Sequence, residues 1–159
     1  MNIYDYKEIL YKVYELAAIE GNKVRAKDEQ ENLIQIDKSF LDYIVKDRQN
    51  SKLLQYLNTL DAETIRIVMT VMYIGRDYPQ SKEELLEKYL PEEEYHSEYD
   101  GIPQEPEVVY PVSNPSKEVQ HYMDYINSSD KKEIEINQIF SKRRRLAEYL
   151  ERAFMILGI

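Results

Sequence analysis

The fold of this chain depends on residues 60–77, which read LDAETIRIVMTVMYIGRD. Between positions 65 and 74 the only polar residues are Arg66 and Thr70. A helix that is apolar on nearly every side belongs inside a protein core. Because a bilayer-spanning helix needs about 20 apolar residues, this run is too short to cross a membrane. The stretch therefore predicts a buried central helix at about 62–74.

Residues at both ends of this stretch predict where the helix starts and stops. Asp61 is a typical N-cap, since its carboxylate accepts hydrogen bonds from the free N–H groups of the first turn. Gly75 is predicted to adopt the left-handed conformation that commonly ends a helix. Arg76 and Asp77 then lead into a turn where the buried helix reaches the surface. An arginine at such an exit is a candidate ligand contact, and the alternative is an ion pair that only fixes the turn.

Length and composition exclude several classes of protein. The 159 residues are predicted to form one helical domain, 1–159, since a chain of about 150 residues can bury roughly two-thirds of its unfolded surface. There is no Cys, so thiol catalysis, disulfides and Cys-based zinc sites are excluded. The two histidines, His96 and His121, have no other metal-ligating residues at a suitable spacing. The four glycines form no phosphate-binding loop. The sequence therefore predicts no enzyme activity, no cofactor and no metal site.

The net charge of −9 bears on partners and location. An acidic surface repels nucleic acid and anionic membranes, so the sequence disfavours direct nucleic-acid binding and membrane association. The N-terminus has no basic segment followed by an apolar run, the pattern of a secretory signal. We therefore expect a cytoplasmic protein whose charge either maintains solubility or meets a basic partner.

Apolar residues at three- and four-residue spacing predict further helices around the central one, about six in all. These helices lie at 4–19, 37–60, 81–90, 115–126 and 131–157. Whether 37–60 forms one bent helix or two stays open. Its first apolar stripe consists of Phe40, Leu41, Ile44 and Val45. The predicted fold class is all-α, a compact bundle around the buried helix.

Between the first two helices the sequence turns polar. Gly21 and Asn22 are predicted to end the first helix. Residues 22–36 have no helical period, and they are predicted to form a loop with a short extended end. At the other end of the chain, Gly158 is predicted to stop the last helix, and Ile159 to fold back on the core.

Residues 91–116 form a Pro-rich, acidic excursion that differs from the rest of the chain. They hold five of the six prolines and seven acids, without one Lys or Arg. One interpretation is a surface segment whose charge keeps it in water. The other is a recognition segment, with tyrosines to bury and carboxylates to meet a basic partner. Its candidate interaction residues are Glu93, Glu94, Tyr95, Glu98, Tyr99 and Tyr110.

Four consecutive cations, Lys142, Arg143, Arg144 and Arg145, interrupt the acidic composition of the chain. Within a continuous helix they would cover more than one face. They are candidates for a phosphate or nucleic-acid contact. The alternatives are a solvated face and pairing with the protein's own acids, including those of the excursion.

Two parts of the chain together resemble a small bacterial family, domain of unknown function 3775. The family marker is a Leu-rich helix, a short acidic corner, and an apolar helix that ends Trp-Leu-Gly-Arg-Gly-Asp. Here residues 57–63 lead into the apolar helix that ends Tyr73-Ile74-Gly75-Arg76-Asp77. The family closes with a Tyr-Leu-containing amphipathic helix, which residues 146–151 resemble.

The resemblance covers about half of the chain and has clear departures. Tyr73 stands where the family has tryptophan, and the second glycine is missing, so Asp77 follows Arg76 directly. The segment 91–116 and the helix at 116–127 have no counterpart in the family pattern. Because the family has no assigned activity, the resemblance implies a helical fold and no function.

The sequence therefore predicts a small, non-catalytic protein-interaction domain that binds a protein partner or a second copy of itself. The alternative is an acidic inhibitor of the mobile-element or anti-defence type. Such a protein would present its carboxylates to a basic groove of its target.

Overall fold

A computed structural model describes residues 1–30, 38–78, 111–126 and 131–159, with the side chains of 27–30 and 38–40 left aside. A 3-10 turn, Ile3–Tyr6, opens the chain. Seven α-helices lie within the described residues. They are α1 (Lys7–Gln30), α2 (Lys38–Asn50), α3 (Lys52–Thr59), α4 (Ala62–Asp77), α5 (Pro115–Tyr125), α6 (Lys132–Ser141) and α7 (Leu146–Leu157). The all-α prediction is confirmed.

Helix α4 is the predicted buried helix. Its N-cap is Asp61, whose Oδ1 accepts from the Thr64 N–H at 2.7 Å. This backbone hydrogen bond lowers the pKa of the Asp61 carboxyl below its usual value. The side chains from position 64 to 75 are buried with the exceptions of Arg66 and Tyr73. The polar Thr70 is satisfied within the helix, since its Oγ1 donates to the Arg66 carbonyl at 2.7 Å.

Five of the described helices and the N-terminal turn form the rest of the core around this centre. Helices α5, α6 and α7 pack directly on α4, while α1 packs on α7 and α3. With the exception of the stripe of α2, the predicted apolar stripes in the described residues face inward. Fully buried examples are Leu10, Val13, Ala17, Leu53, Leu57, Val119 and Leu150. All described core residues belong to one cluster, which extends to Ile159 at the C-terminus.

Gly75 does not end α4, and that prediction was wrong. The helix continues to Asp77, and among the described residues the only positive φ belongs to Gly158, at 66°. A Cβ on Gly75 would stand 1.7 Å from the Tyr149 carbonyl oxygen of α7. Glycine in a helix interior costs about 1 kcal/mol relative to alanine. Here it permits α4 and α7 to cross in backbone contact, so the residue serves packing and not termination.

Gly21 has a related role, because α1 does not end there and runs to Gln30. The predicted loop at 22–36 is therefore helical over its first part. A Cβ on Gly21 would lie 3.0 Å from the Arg143 carbonyl oxygen. Helix α1 thus passes closely over the chain at 142–145. A sequence pattern shows a glycine, but only the tertiary contact shows whether it ends a helix or admits a neighbour.

The predicted helix at 131–157 is broken into α6 and α7. The break consists of the four cations at 142–145, which form a turn. The Arg25 side chain donates from Nη2 and Nε to the Arg144 carbonyl, at 2.7 and 3.0 Å. In a continuous helix that carbonyl would accept a backbone N–H instead. A tertiary hydrogen bond therefore accompanies the break in the helix. The spacing of apolar residues in the sequence does not indicate this break.

The described part of the predicted segment 37–60 forms two helices, since Ser51 begins α3 as an N-cap with its Oγ 3.0 Å from the Leu54 nitrogen. The stripe predicted for α2 does not pack into the core. Leu41, Ile44 and Val45 are 55%, 39% and 53% exposed. The prediction of the helix is confirmed, and the expectation that its stripe would be buried is wrong.

Several predicted features lie outside the described residues. They are the short extended segment near 33–36, the helix at 81–90 and most of the acidic excursion. The described part of the excursion leads into α5, where Asn114 caps the helix and Pro115 occupies its first turn. No helix in the described ranges has the length and apolar character needed to span a bilayer.

Candidate functional site: a tyrosine cleft beside Arg76 and Asp77

A surface cleft of about 320 Å³ lies where the C-terminal end of α4 meets α5 and α6. We call it the tyrosine cleft. Helix α4 contributes an aromatic ring and an ion pair, α5 two further rings with the residue that follows it, and α6 an amide. The lining residues are Tyr73, Arg76, Asp77, Tyr122, Tyr125, Ile126 and Gln138.

Arg76 and Asp77 form a bidentate ion pair on one wall of the cleft. Arg76 Nε lies 2.7 Å from Asp77 Oδ1, and Nη2 lies 2.7 Å from Oδ2. The guanidinium also stacks over Tyr73, with Cζ 4.6 Å from the ring centroid. Hydrogen bonding to Asp77 raises the pKa of Arg76 above its usual value. The guanidinium is thus held in place on two sides, and both charged side chains remain solvent-accessible.

Tyrosines on α5 form the opposite wall. Tyr122 is nearly buried, at 8% exposure, and packs on Tyr78 with ring centroids 5.9 Å apart. Tyr125 is 73% exposed and meets His121 edge to face at 4.9 Å. Tyr122 therefore belongs to the floor, and Tyr125 stands at the rim with its ring in solvent.

The position of Arg76 and Asp77 in the cleft depends on how the C-terminal end of α4 is held against the protein core. Arg152 of α7 donates from Nη1 to the Gly75 carbonyl and from Nη2 to the Tyr78 carbonyl. The Tyr78 N–H closes the helix on the Ile74 carbonyl at 2.9 Å. Arg152 thus satisfies carbonyl groups that a helix end leaves free. The C-terminal end of α4 is therefore bound to α7 by Arg152 and not by Arg76. Arg76 and Asp77 remain at the surface of the cleft.

The lining groups suit binding. Tyrosine rings offer apolar faces together with hydroxyl donors and acceptors. The Arg76–Asp77 pair presents a neutralised charge with its remaining N–H groups, and Gln138 adds an amide. Within the described residues no group of three or more His, Cys, Asp or Glu side chains could hold a metal ion.

The run of cations at 142–145 engages the protein's own acids at two positions. Arg143 pairs with Asp47 of α2 and stacks on Phe140, with Cζ 4.5 Å from the ring centroid. Arg145 pairs with Glu148 at 3.1 Å. The same carboxylate accepts Arg25 of α1 at 3.0 Å. The run therefore joins α1, α2 and α7, as the intramolecular alternative predicted.

Part of this site is predictable from the sequence. Arg76 and Asp77 were predicted as a candidate pair, and they lie in the tyrosine cleft. Their three tyrosine neighbours were missed. Tyr73 precedes Arg76 by three residues, and Tyr122 precedes Tyr125 by three, so each pair shares a helix face. That spacing was the available signal. The other candidate residues lie outside the described residues: Glu93, Glu94, Tyr95, Glu98, Tyr99 and Tyr110.

Comparisons of this chain with protein-family models, with curated proteins and with solved structures find no match. The resemblance to domain of unknown function 3775 stays a prediction. The geometry of the tyrosine cleft is therefore the basis on which a function is proposed below.

Proposed function

We propose that this protein is a non-catalytic protein-interaction domain that receives a segment of a protein partner in the tyrosine cleft. The observation that supports it most is the grouping of Tyr73, Tyr122 and Tyr125 around the Arg76–Asp77 pair. Tyrosine and arginine are the residue types that most often contribute strongly to protein–protein binding. Here both types line one accessible cleft.

The order within the cleft favours binding energetically. Arg76 is already fixed by Asp77 and by the Tyr73 ring. Immobilising a flexible side chain on association costs about 0.5–1.5 kcal/mol, and a preorganised side chain avoids much of that cost. Tyr125, in contrast, has most of its ring in water and gains the most from being covered. We therefore assign Tyr125 the largest single contribution to the complex.

The experiment is an affinity capture from the source organism with quantitative comparison of variants. Tyr125→Ala removes the exposed ring of the cleft. Tyr4→Ala is the matched control, because Tyr4 is 51% exposed on the N-terminal 3-10 turn and does not line the cleft. We expect at least one protein to be captured by the wild type and the control and to be lost with Tyr125→Ala. Identical capture by all three proteins would contradict the proposal.

A second variant tests whether the partner contacts the whole tyrosine cleft or only the Tyr125 ring. Arg76→Ala removes the cation that stacks on Tyr73 and leaves Asp77 without its partner. We expect the same captured protein to be weakened by this change as well. If only Tyr125→Ala reduced capture, the partner would contact the rim of α5 and not the cleft.

The acidic inhibitor is the second candidate, and the charge distribution of the sequence supports it. The net charge of the chain is −9, and residues 91–116 hold seven acids without one Lys or Arg. Attraction between exposed charges is screened by salt, with a Debye length of about 10 Å at 0.1 M ionic strength. Binding to a basic groove should therefore weaken steeply as salt is raised, whereas binding through tyrosine rings should change little. A salt titration of the captured complex distinguishes these two functions. The cytoplasmic location is a prediction common to both.

A further inference from the structure

A second pocket, of about 400 Å³, lies between α1 and α2 and beside the turn at 142–145. We call it the lysine pocket after Lys23 of α1 and Lys46 of α2, which both line it. Among the described residues, none lines both this pocket and the tyrosine cleft. Pockets that hold small organic ligands have volumes of about 300–1,000 Å³, so this pocket has the size of a small-molecule site.

The two carboxylates that line the lysine pocket are engaged by the protein itself. Glu20 accepts hydrogen bonds from the Ser51 hydroxyl, at 2.7 and 2.9 Å, and from the Leu53 N–H, at 3.1 Å. It thereby satisfies a backbone donor in the first turn of α3, where the helix dipole favours a negative charge. Asp47 pairs with Arg143. Both negative charges are therefore compensated within the wall of the pocket.

The two lysines of the pocket have no such partner. In the part of the chain that the structure describes, neither Lys23 nor Lys46 makes a hydrogen bond or an ion pair. Both side chains are exposed, and they reach the pocket from different helices. The pocket thus keeps two positive charges that its own carboxylates do not neutralise.

The number and type of these charges indicate the class of ligand. Lysine binds phosphate as a compact point charge, whereas the planar carboxylate is matched best by the forked guanidinium of arginine. A phosphomonoester carries a charge of about −1.5 to −2 at pH 7, which two lysines balance. The net charge of −9 does not prevent such binding, because acids more than about 10 Å away are screened at 0.1 M ionic strength.

We propose that the lysine pocket binds a phosphate dianion, either free or as the phosphomonoester of a small molecule, between Lys23 and Lys46. The side chains of Val24 and Tyr43 line the same pocket and offer apolar surface to the organic part of an ester. Asn50 adds an amide that donates to a phosphate oxygen. This site is separate from the tyrosine cleft, so it does not depend on the function proposed for that cleft.

The test is a titration of the full chain followed by amide chemical shifts in NMR, at pH about 8 and constant ionic strength. The probes are inorganic phosphate, adenosine monophosphate and acetate. We expect saturable binding of a phosphate probe with a dissociation constant of about 1 mM or below, with shifts concentrated at 20–24 and 43–51. Acetate, with one charge, should bind at least about tenfold more weakly. Tighter binding of adenosine monophosphate than of phosphate would identify an ester site, and equal affinities would identify a site for the phosphate group alone.

Charge-removing variants test whether the two lysines form the site. Lys23→Gln and Lys46→Gln should each weaken phosphate binding by about three- to tenfold, and the double variant should abolish it. Lys12→Gln is the matched control, because Lys12 is an exposed lysine of α1 that does not line the pocket. It lowers the net charge equally and should leave the affinity unchanged. Circular dichroism verifies that each variant is folded.

Three outcomes would overturn the proposal of a phosphate site. The first is that neither phosphate probe binds saturably to the wild type up to about 10 mM. The second is that the double variant binds phosphate as well as the wild type does. The third is that Lys12→Gln weakens binding as much as Lys46→Gln, since phosphate would then respond to the net charge of the chain and not to the pocket.

Discussion

Helices α4 and α2 carry similar sequence patterns and end in opposite environments. Each presents aliphatic residues at helical spacing. Ile67 of α4 is fully buried, whereas Ile44 of α2 is 39% exposed. Helices α5, α6 and α7 surround α4, whereas α2 touches the body through arginine, aspartate and asparagine side chains. The comparison shows that an apolar stripe predicts a helix with an apolar face. It does not predict which part of the protein covers that face.

The two helices also differ in how closely another backbone approaches. Gly75 removes the side chain where α7 crosses α4, and the Tyr149 carbonyl occupies that space. Helix α2 has no glycine, and its attachment is made by the ends of long side chains. Backbone contact buries whole helix faces, while contact through long side chains leaves the helix surface open. The same class of substitution should therefore have very different costs in the two helices.

The largest effect is expected from Ile67→Asp, which places a carboxylate in the fully buried face of α4. The variant loses the buried side chain and leaves a charge without a partner, a cost of about 5 kcal/mol or more, comparable to the whole stability of a domain. We expect no cooperative thermal transition by circular dichroism. A normal melting curve would contradict the central position of α4.

The next largest effect is expected from Gly75→Ala, although alanine is the better helix former. The added Cβ has no space beside the Tyr149 carbonyl, so α4 and α7 must separate. Overpacking costs about 1–3 kcal/mol, and contact with rigid backbone places this site at the upper end. Urea unfolding measures the loss. An increase in stability would indicate that Gly75 ends the helix, as its sequence position had indicated.

A smaller loss is expected from Arg66→Ala, because this half-buried arginine of α4 forms an ion pair with a buried carboxylate. Arg66 Nε lies 3.3 Å from Oε1 of Glu135, a residue that is 1% exposed. Removing the cation leaves the buried carboxylate without its ion partner, and we expect a loss of about 2–3 kcal/mol. The combined variant Arg66→Met, Glu135→Leu should regain most of it, because neither charge remains. If the double variant were no more stable than Arg66→Ala, the pair would not account for the loss.

A modest, pH-dependent effect is expected at the N-cap of α4. The Thr64 N–H lowers the pKa of the Asp61 carboxyl in the folded state. The stabilisation is therefore fully present above the unfolded pKa, about 3.9, and is lost as the pH falls through the lower folded value. Asp61→Asn keeps an acceptor for Thr64 and does not titrate. The melting temperature of the wild type should fall more than that of the variant between pH about 5 and 2. Parallel curves would show that the cap carboxyl contributes no pH dependence.

The smallest effect is expected from Ile44→Asp, the counterpart of the first variant. Because Ile44 lies on the open face of α2, the stability measured in dilute solution should change by no more than about 0.5 kcal/mol. Urea unfolding measures the change. A loss similar to that of Ile67→Asp would mean that the face is covered in the folded monomer and that the contrast between α2 and α4 does not hold.

Sequence reasoning was most successful where interactions are local. The predicted cap at Asp61 and the predicted stop at Gly158 are both observed. Each depends on neighbours within a few residues, so the signal lies in the sequence itself. The glycines at 21 and 75 were misinterpreted, because their partners at 143 and 149 lie far along the chain.

The candidate site also contains one part that depends on local sequence and another that depends on contacts between distant residues. Arg76 and Asp77 are adjacent, and their pairing could be proposed from their order alone. Tyr122 and Tyr125 reach the same cleft from α5, some fifty residues later. Nothing in their local sequence assigns them to a surface beside Arg76, since that proximity results from the packing of α5 on α4.

By itself the sequence determined an all-α fold, a buried helix from its apolar composition, and the residues that cap the helices, because hydrogen-bond geometry and apolar periodicity act over one or two turns. The tertiary structure alone decided that the helix expected at 131–157 breaks at its four cations, that two glycines admit neighbouring backbone, that tyrosines from α4 and α5 share a cleft with Arg76, and that the apolar face of α2 stays in solvent. These outcomes depend on which surfaces meet, and contact between distant residues is set by the packing of whole helices.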